Sequence, residues 1–260
     1  MINIVKEVNT IHYLDIGQGE PVILIHGLGS KKESWENQYE LSSNYRLIIP
    51  DLRGHGESEE FDNISISVFA HDILSLLASL GIEKAHFCGL SMGGLVVQEI
   101  YCQNNKIVQS MVLSNTFSYA PTCLGQLTVM KGARNLHSST SDEYTTYTAE
   151  KCLYRKETNL IDAAKKMFLI KKVPYLASSF SAIKSNYLPI LPFVRVPTLI
   201  IGGQYDEVNP LFSVLQTKWF MPRAELVILG NCGHLPILEK KHEYNHLLNR
   251  FFHKYQVSAL

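Results

Sequence analysis

Long apolar runs, paired cysteines and a charge excess of either sign are missing from this chain, and each absence removes a class of protein. No apolar run approaches the ~20 residues that a membrane-spanning helix needs. The cysteines, Cys88, Cys102, Cys123, Cys152 and Cys232, are odd in number and form no CxxC pair. That argues against a disulfide framework and against a zinc site, and no metal is expected. The 24 basic and 24 acidic side chains cancel, and no long basic run occurs, so nucleic acid is not an expected partner. The opening "MINIVKEVNTIHYLDIG" carries charge and alternates too early for a secretory signal. Together these absences describe a soluble protein of a reducing compartment, read here as the cytoplasm. They leave a homo-oligomer open. What is present is 260 residues, 46% of them hydrophobic, enough for one sizeable core.

Residues 2–15 alternate with a period of about two and predict an entry hairpin. "PVILIHG" and "RLIIPD" are short, wholly apolar, β-rich runs of the kind buried on both faces of a sheet. From Ser65 to Leu80 the apolar residues Val68, Ile73, Leu76, Leu77 and Leu80 recur at helical spacing, and Gly81 follows as a stop. "KAHFCG" then reads as a strand, "GLVVQEIYCQ" as a helix and "IVQSMVLSNT" as a further strand. Buried strands alternating with helices imply a mostly parallel sheet covered on both faces, the α/β class.

The rhythm fails between Ser118 and Pro192. That stretch is rich in Tyr, Lys and Ser/Thr, holds helical patches such as "IDAAKKMFLIKK", and ends in the proline-punctuated "LPILPFVRVP". It resumes with "PTLIIGG", a helix near 210–220, the strand "ELVILG" and an amphipathic helix over about 236–254. The division expected is a core of residues 1–117 and 193–260 carrying a helical lid of residues 118–192.

Gly89-Leu90-Ser91-Met92-Gly93 is a G-x-S-x-G pentapeptide placed where a buried strand gives way to a helix. In that context a tight turn holds the serine in a strained conformation with its hydroxyl exposed at the carboxyl edge of the sheet. The glycines let strand and helix approach, and the helix directs its N-terminal amides toward developing negative charge. A glycine-rich turn that merely packs, or that cradles phosphate, is the competing reading. A phosphate loop, however, needs a lysine that this turn lacks.

A serine nucleophile needs a base held by an acid, and the elbow arrangement requires the order Ser, acid, His. Of ten histidines, His12, His26, His55, His71 and His86 precede the serine, His137 lies in the inserted stretch, and His242, His246 and His253 lie on the closing helix. His234, in "GNCGHLPILE" just past the last core strand, stands where catalytic loops converge. For the acid, "LIIGGQYDEVNP" offers Asp206, with Glu207 its nearest rival and helix capping the alternative role. The end of the preceding strand, "LSNT", offers Asn115 but no carboxylate. Oxyanion donors are assigned to the amide of Met92 and, in "HGLGS", to that of Leu28. His26 and "DLRGHGES" are read as shaping these loops.

With those residues in hand the chain resembles the α/β-hydrolase superfamily, in its lid-bearing branch. "HGLGS", "DLRGHGES", "GLSMGG", "GGQYDEVNP" and "GNCGHLPILE" stand in that family's order and span nearly the whole core. The resemblance implies an eight-stranded, mostly parallel sheet with an inserted lid. It matches Ser91 to the nucleophile, Asp206 to the acid, His234 to the base, and Leu28 and Met92 to the oxyanion-hole amides. A serine rather than an aspartate nucleophile sets the chain apart from haloalkane dehalogenases and epoxide hydrolases. "HFCGLSMGG" with "LSNT" is similar to 3-oxoadipate enol-lactonases and neighbouring carboxylesterases.

The resemblance implies a hydrolase of small esters or lactones that works through an acyl-enzyme and requires no cofactor. The alternatives are hydrolysis of a carbon–carbon bond next to a ketone, and a hydrolase-like receptor that turns over slowly or once. Between Ser118 and Pro192 ten Lys/Arg stand against five Asp/Glu. That basic excess could guide an anionic substrate, or form an ordinary solvated surface.

Overall fold

The central apolar runs become strands buried on both sides, while the edge strand formed by residues 225–229 is buried only at Leu229. In the computed structural model, which describes residues 5–8, 10–59 and 61–256, the strands are β1 (Val5–Val8), β2 (Ile11–Ile16), β3 (Glu20–Ile25), β4 (Tyr45–Pro50), β5 (Ala85–Leu90), β6 (Val108–Ser114), β7 (Thr198–Gly203) and β8 (Glu225–Leu229). The helices are α1 (Ile66–Ser79), α2 (Met92–Gln103), α3 (Thr122–Ser138), α4 (Ser141–Cys152), α5 (Thr158–Lys166), α6 (Lys172–Lys184), α7 (Leu211–Phe220), α8 (Pro236–Glu239) and α9 (Lys241–Lys254). Residues 2–4 and 9 of the expected hairpin, and the side chain of Cys123, lie outside the described residues. Cys88, Cys102, Cys152 and Cys232 are free thiols.

The strands form one sheet in the order β1-β2-β4-β3-β5-β6-β7-β8. The two pairings of β2 are antiparallel, and every pairing from β4 to β8 is parallel. Alternate residues of each central strand serve opposite faces. Ile23 and Ile25 of β3 join a cluster with Phe69, Ile73 and Leu77 of α1 and Val96 and Ile100 of α2. Val22 and Leu24 join the opposite cluster, with Trp35 and with Tyr244, Leu248 and Phe252 of α9. Full burial of one such side chain contributes about 1.5–3 kcal/mol, which is why these runs tolerate no polar alternation.

Local signals set the helix ends. The Ser65 hydroxyl accepts the Val68 N–H at 3.2 Å to start α1, and Gly81 follows its end at φ 66°. Two helices depart from expectation. The closing helix is broken into α8 and α9 at Lys240. The patch at 161–172 stops helically at Lys166, because Phe168 pairs instead with Ser30 of the core.

Chain order places a crevice. From β3 the chain passes to β4 on one side and returns through α1 to β5 on the other, so the strand order reverses between β3 and β5. Loops leaving the carboxyl ends of those strands diverge and open a cleft. Those loops begin at His26 and Ser91.

Candidate active site

Ser91 sits at φ 54°, ψ −120°, a left-handed conformation that side-chain-bearing residues avoid. Its amide donates to Ser114 O and its carbonyl accepts from Gly94 N–H, both at 2.9 Å, so backbone bonds to β6 and α2 hold the strain. The flanking glycines have no substitute. A Cβ on Gly89 would collide with the carbonyl of Gly93, and one on Gly93 would collide with the carbonyl of Ile25. The turn therefore packs strand, helix and the neighbouring β3 backbone into space that only glycine leaves free.

Gly27 lies against the serine; a Cβ there would stand 3.3 Å from Ser91 Cβ and 3.9 Å from its Oγ. The loop over Gly27–Ser30 is shaped by His26. Its Nδ1 lies 2.8 Å from the Gly27 carbonyl and its Nε2 accepts the Leu52 N–H at 3.0 Å, which assigns a neutral ring protonated at Nδ1. Burial drives its pKa down to about 4 against the pull of the Gly27 carbonyl. His55, 5.2 Å away between ring centres, is held down to about 3, again chiefly by burial. Both ring nitrogens of His26 are engaged, and both histidines are buried away from solvent. Among the described residues, neither the Leu28 nor the Met92 amide donates to a backbone carbonyl outside the helices and strands.

The residues expected as acid and base meet. His234 Nδ1 lies 2.7 Å from Asp206 Oδ2, and both residues are buried. Asp206 Oδ1 accepts the Val208 and Asn209 amides at 2.8 Å each, while Oδ2 also accepts Asn115 Nδ2 at 2.9 Å. Burial pushes this carboxyl up, but the His234 ring and these donors outweigh it and hold the pKa below the ordinary aspartate value. It is a preorganised carboxylate, with the capping role and the His234 role filled by different oxygens. Glu207 is exposed and stands 3.8 Å from Lys156, away from the imidazole.

Ser91, Asp206 and His234 follow the carboxyl ends of β5, β7 and β8 on one rim of the parallel part of the sheet, with β6 between β5 and β7. Among the described residues no hydrogen bond joins the Ser91 hydroxyl to His234. Such contacts commonly tighten only when substrate is bound. The other histidines stand elsewhere. His71, His137, His242, His246 and His253 are exposed, and His86 is bound to Ser110 and Glu20.

Asn115 is the residue whose part the sequence conceals. At φ 46°, it donates from one amide group to Asp206 and to the Gly233 carbonyl at 3.0 Å, and its own carbonyl accepts Asn209 Nδ2 at 2.7 Å. It occupies the strand end where the other possible acid would stand. An asparagine after a strand, in a type that tolerates a left-handed backbone, was the available signal.

The ten basic side chains between Ser118 and Pro192 all lie at or near the surface, none of them buried. Lys171 is more than solvated: it donates to Gly56 O at 2.9 Å and lies 5.4 Å over the Phe61 ring. Among the described residues, no helix is long and apolar enough to cross a membrane.

Residues 20–144 match the family described as the α/β hydrolase fold. A 3-oxoadipate enol-lactonase of Acinetobacter baylyi is 30% identical over 73% of this chain and 73% of its own. A 2-hydroxy-6-oxononadienedioate/2-hydroxy-6-oxononatrienedioate hydrolase of a Pseudomonas species is 26% identical over 94% of this chain and 93% of its own. A thermophilic esterase from Thermogutta terrifontis superposes with a TM-score of 0.86 at 23% identity, covering 98% of this chain and 99% of its own. With that family match, the 30% identical relative and the eight-stranded, mostly parallel sheet, the chain belongs to the α/β-hydrolase superfamily and is a hydrolase.

Proposed function

We propose that this hydrolase cleaves a carboxylic ester or lactone of a small molecule through an acyl-enzyme on Ser91. The observation that carries the reading is the strained Ser91 on the same sheet rim as a buried His234–Asp206 pair at 2.7 Å. In the cycle, Ser91 Oγ attacks the substrate carbonyl as His234 Nε2 takes its proton. Asp206 keeps the other ring proton on Nδ1 and stabilises the imidazolium that forms. The amides of Leu28 and Met92 receive the developing oxyanion, each such donor contributing about 3 kcal/mol. The tetrahedral species collapses, His234 protonates the leaving alkoxide or enolate, and water repeats the sequence to release the acid. Side chains and water carry every proton and electron pair, so the reading requires no cofactor.

Residues 118–192 act in this reading as a lid on a core of residues 1–117 and 193–260. Supporting it, the Leu169 amide donates to Gly29 O at 2.9 Å and the Ser30 hydroxyl to Met167 O at 2.8 Å. The inserted stretch thus touches the proposed oxyanion loop directly. The exposed placement of its basic residues favours an ordinary solvated surface over an anionic guide.

A second reading is supported by the resemblance to the 2-hydroxy-6-oxononadienedioate hydrolase over 94% of this chain. The same three side chains would then break the carbon–carbon bond next to the ketone. Product analysis with a phenyl ester, an enol lactone and a 2-hydroxy-6-oxo-dienoate separates the readings. Sustained ester or lactone turnover, abolished in Ser91→Ala, is expected. Turnover of the dienoate alone would select the second reading, and one burst without further product would select a slow, receptor-like role.

A further inference from the structure

We propose that Glu239 is a positioning residue that fixes His234 by tying its loop to the inserted helices; this rests on the reading of His234 as general base. The loop from Gly230 to Gly233 has no regular structure of its own and is held from outside: the Tyr205 amide donates to Cys232 O at 2.9 Å and Asn115 Nδ2 to Gly233 O at 3.0 Å. The loop contains two glycines and Asn231 at φ 49°. Two further ties join its end to the inserted stretch and to Glu239. The His234 amide donates to Cys152 O at 2.7 Å, at the end of α4. The Gly233 amide donates to Glu239 Oε1 at 2.8 Å, and the other oxygen of the same carboxylate accepts the Tyr154 amide at 2.8 Å.

One carboxylate therefore joins two backbone segments far apart in sequence, and the Arg155 and Leu235 amides also reach it. Burial raises the Glu239 pKa, and these four amides oppose it. The segments meet without slack. A Cβ on Gly233 would lie 2.7 Å from both Cys152 O and Tyr154 N. The same strip of the insertion is held laterally by Tyr154, which stacks on Tyr205 beside Asp206 at 4.5 Å between ring centres and 17° between planes. Asp206 sets the imidazole ring, and Glu239, together with Asn115 and the Cys152 carbonyl, sets the backbone that carries it. Removing the Glu239 carboxylate leaves its amides without that acceptor and loosens the Cys232–Gly233 peptide, one residue before His234.

Two variants of the full chain test this, Glu239→Ala and Glu239→Gln. The measurements are kcat and KM for a small ester, thermal unfolding, and the low-field NMR signal of the proton between His234 Nδ1 and Asp206. A displaced base costs on the order of tenfold to a hundredfold in rate. Glu239→Ala is expected to lose kcat in that range, with KM within about threefold, and to shift or broaden the low-field signal. Glu239→Gln, which keeps an acceptor for one amide but opposes an NH2 to the other, should fall between it and the wild type. Folded variants with wild-type kcat and an unmoved signal overturn the proposal, even if they melt at lower temperature. If the alanine variant fails to fold, the glutamine variant decides by the same criteria. Unchanged turnover in His234→Ala would instead refute the general-base reading, whatever Glu239 does.

Discussion

The carboxyl rim of the sheet and the inserted stretch between β6 and β7 solve opposite problems. At the rim, Ser91 and Asn115 hold left-handed conformations that only a rigid surround sustains, and the strands beneath them are fully buried. In the inserted stretch, α3 to α6 leave Leu127, Val173 and Phe180 open to solvent. They meet the core through hydrogen bonds such as Leu169 to Gly29, His234 to Cys152 and Ile66 to Ser181, and through the buried side chains of Ala149, Leu153 and Met167. The difference teaches that geometry for chemistry is stored in the sheet, where displacement costs most. The exposed positions of the inserted helices can vary at small cost, provided the buried contacts and the ties to the loops at the rim survive.

The largest effects should therefore come from the rim. His234→Ala and Asp206→Asn are each expected to lower ester turnover by about 10⁴-fold while urea unfolding stays near wild type. Asn115→Ala, which removes a donor from Asp206 and from Gly233, should cost on the order of tenfold to a hundredfold in kcat with little change in KM. Gly93→Ala tests the turn itself. Its methyl group must displace the Ile25 carbonyl, so a loss on the order of 3 kcal/mol in denaturant unfolding is expected, with activity lost in the folded fraction. A well-folded, active Gly93→Ala protein would show that the close approach is dispensable.

The acid limb of stability sharpens the same contrast, because the buried histidines belong to the core. His26 and His55 are neutral when folded, with pKa values of about 4 and about 3, whereas an unfolded histidine binds protons below about 6.5. Between those limits the unfolded chain binds more protons, so folding stability falls as pH falls. The His26 contribution alone, lost between pH 6.5 and 4, is on the order of 3 kcal/mol. Denaturant midpoints measured from pH 7 to 4 should decline across that window. A flat profile would contradict the neutral, buried assignment. The smallest effect belongs to the inserted surface: Lys166→Glu, on an exposed position of α5, should change stability by less than about 0.5 kcal/mol and ester kinetics by less than about twofold.

These differences also explain what could be read from residues alone. β3, β5 and β7 were legible because burial on both faces demands unbroken apolar runs, and the pentapeptide around Ser91 was legible because close approach demands glycine at fixed spacing. The partnership of His234 with Asp206 rather than Glu207 was only half legible, since adjacent carboxylates differ in direction and not in type. Asn115 was passed over because it lacks a charge, although its value lies in donating to one. Glu239 gave no signal at all: its partners are backbone amides, which every sequence contains. The early end of α5 was hidden for a similar reason, since Phe168 beyond it pairs with the distant Ser30.

The most direct measurement of the central claim is a fluorophosphonate reaction followed by peptide mass spectrometry, run on the wild type and on Ser91→Ala. The account predicts one covalent adduct, on the peptide containing Ser91, formed at a rate that collapses in His234→Ala. An adduct on another residue, or labelling of Ser91 at an undiminished rate without His234, would contradict it.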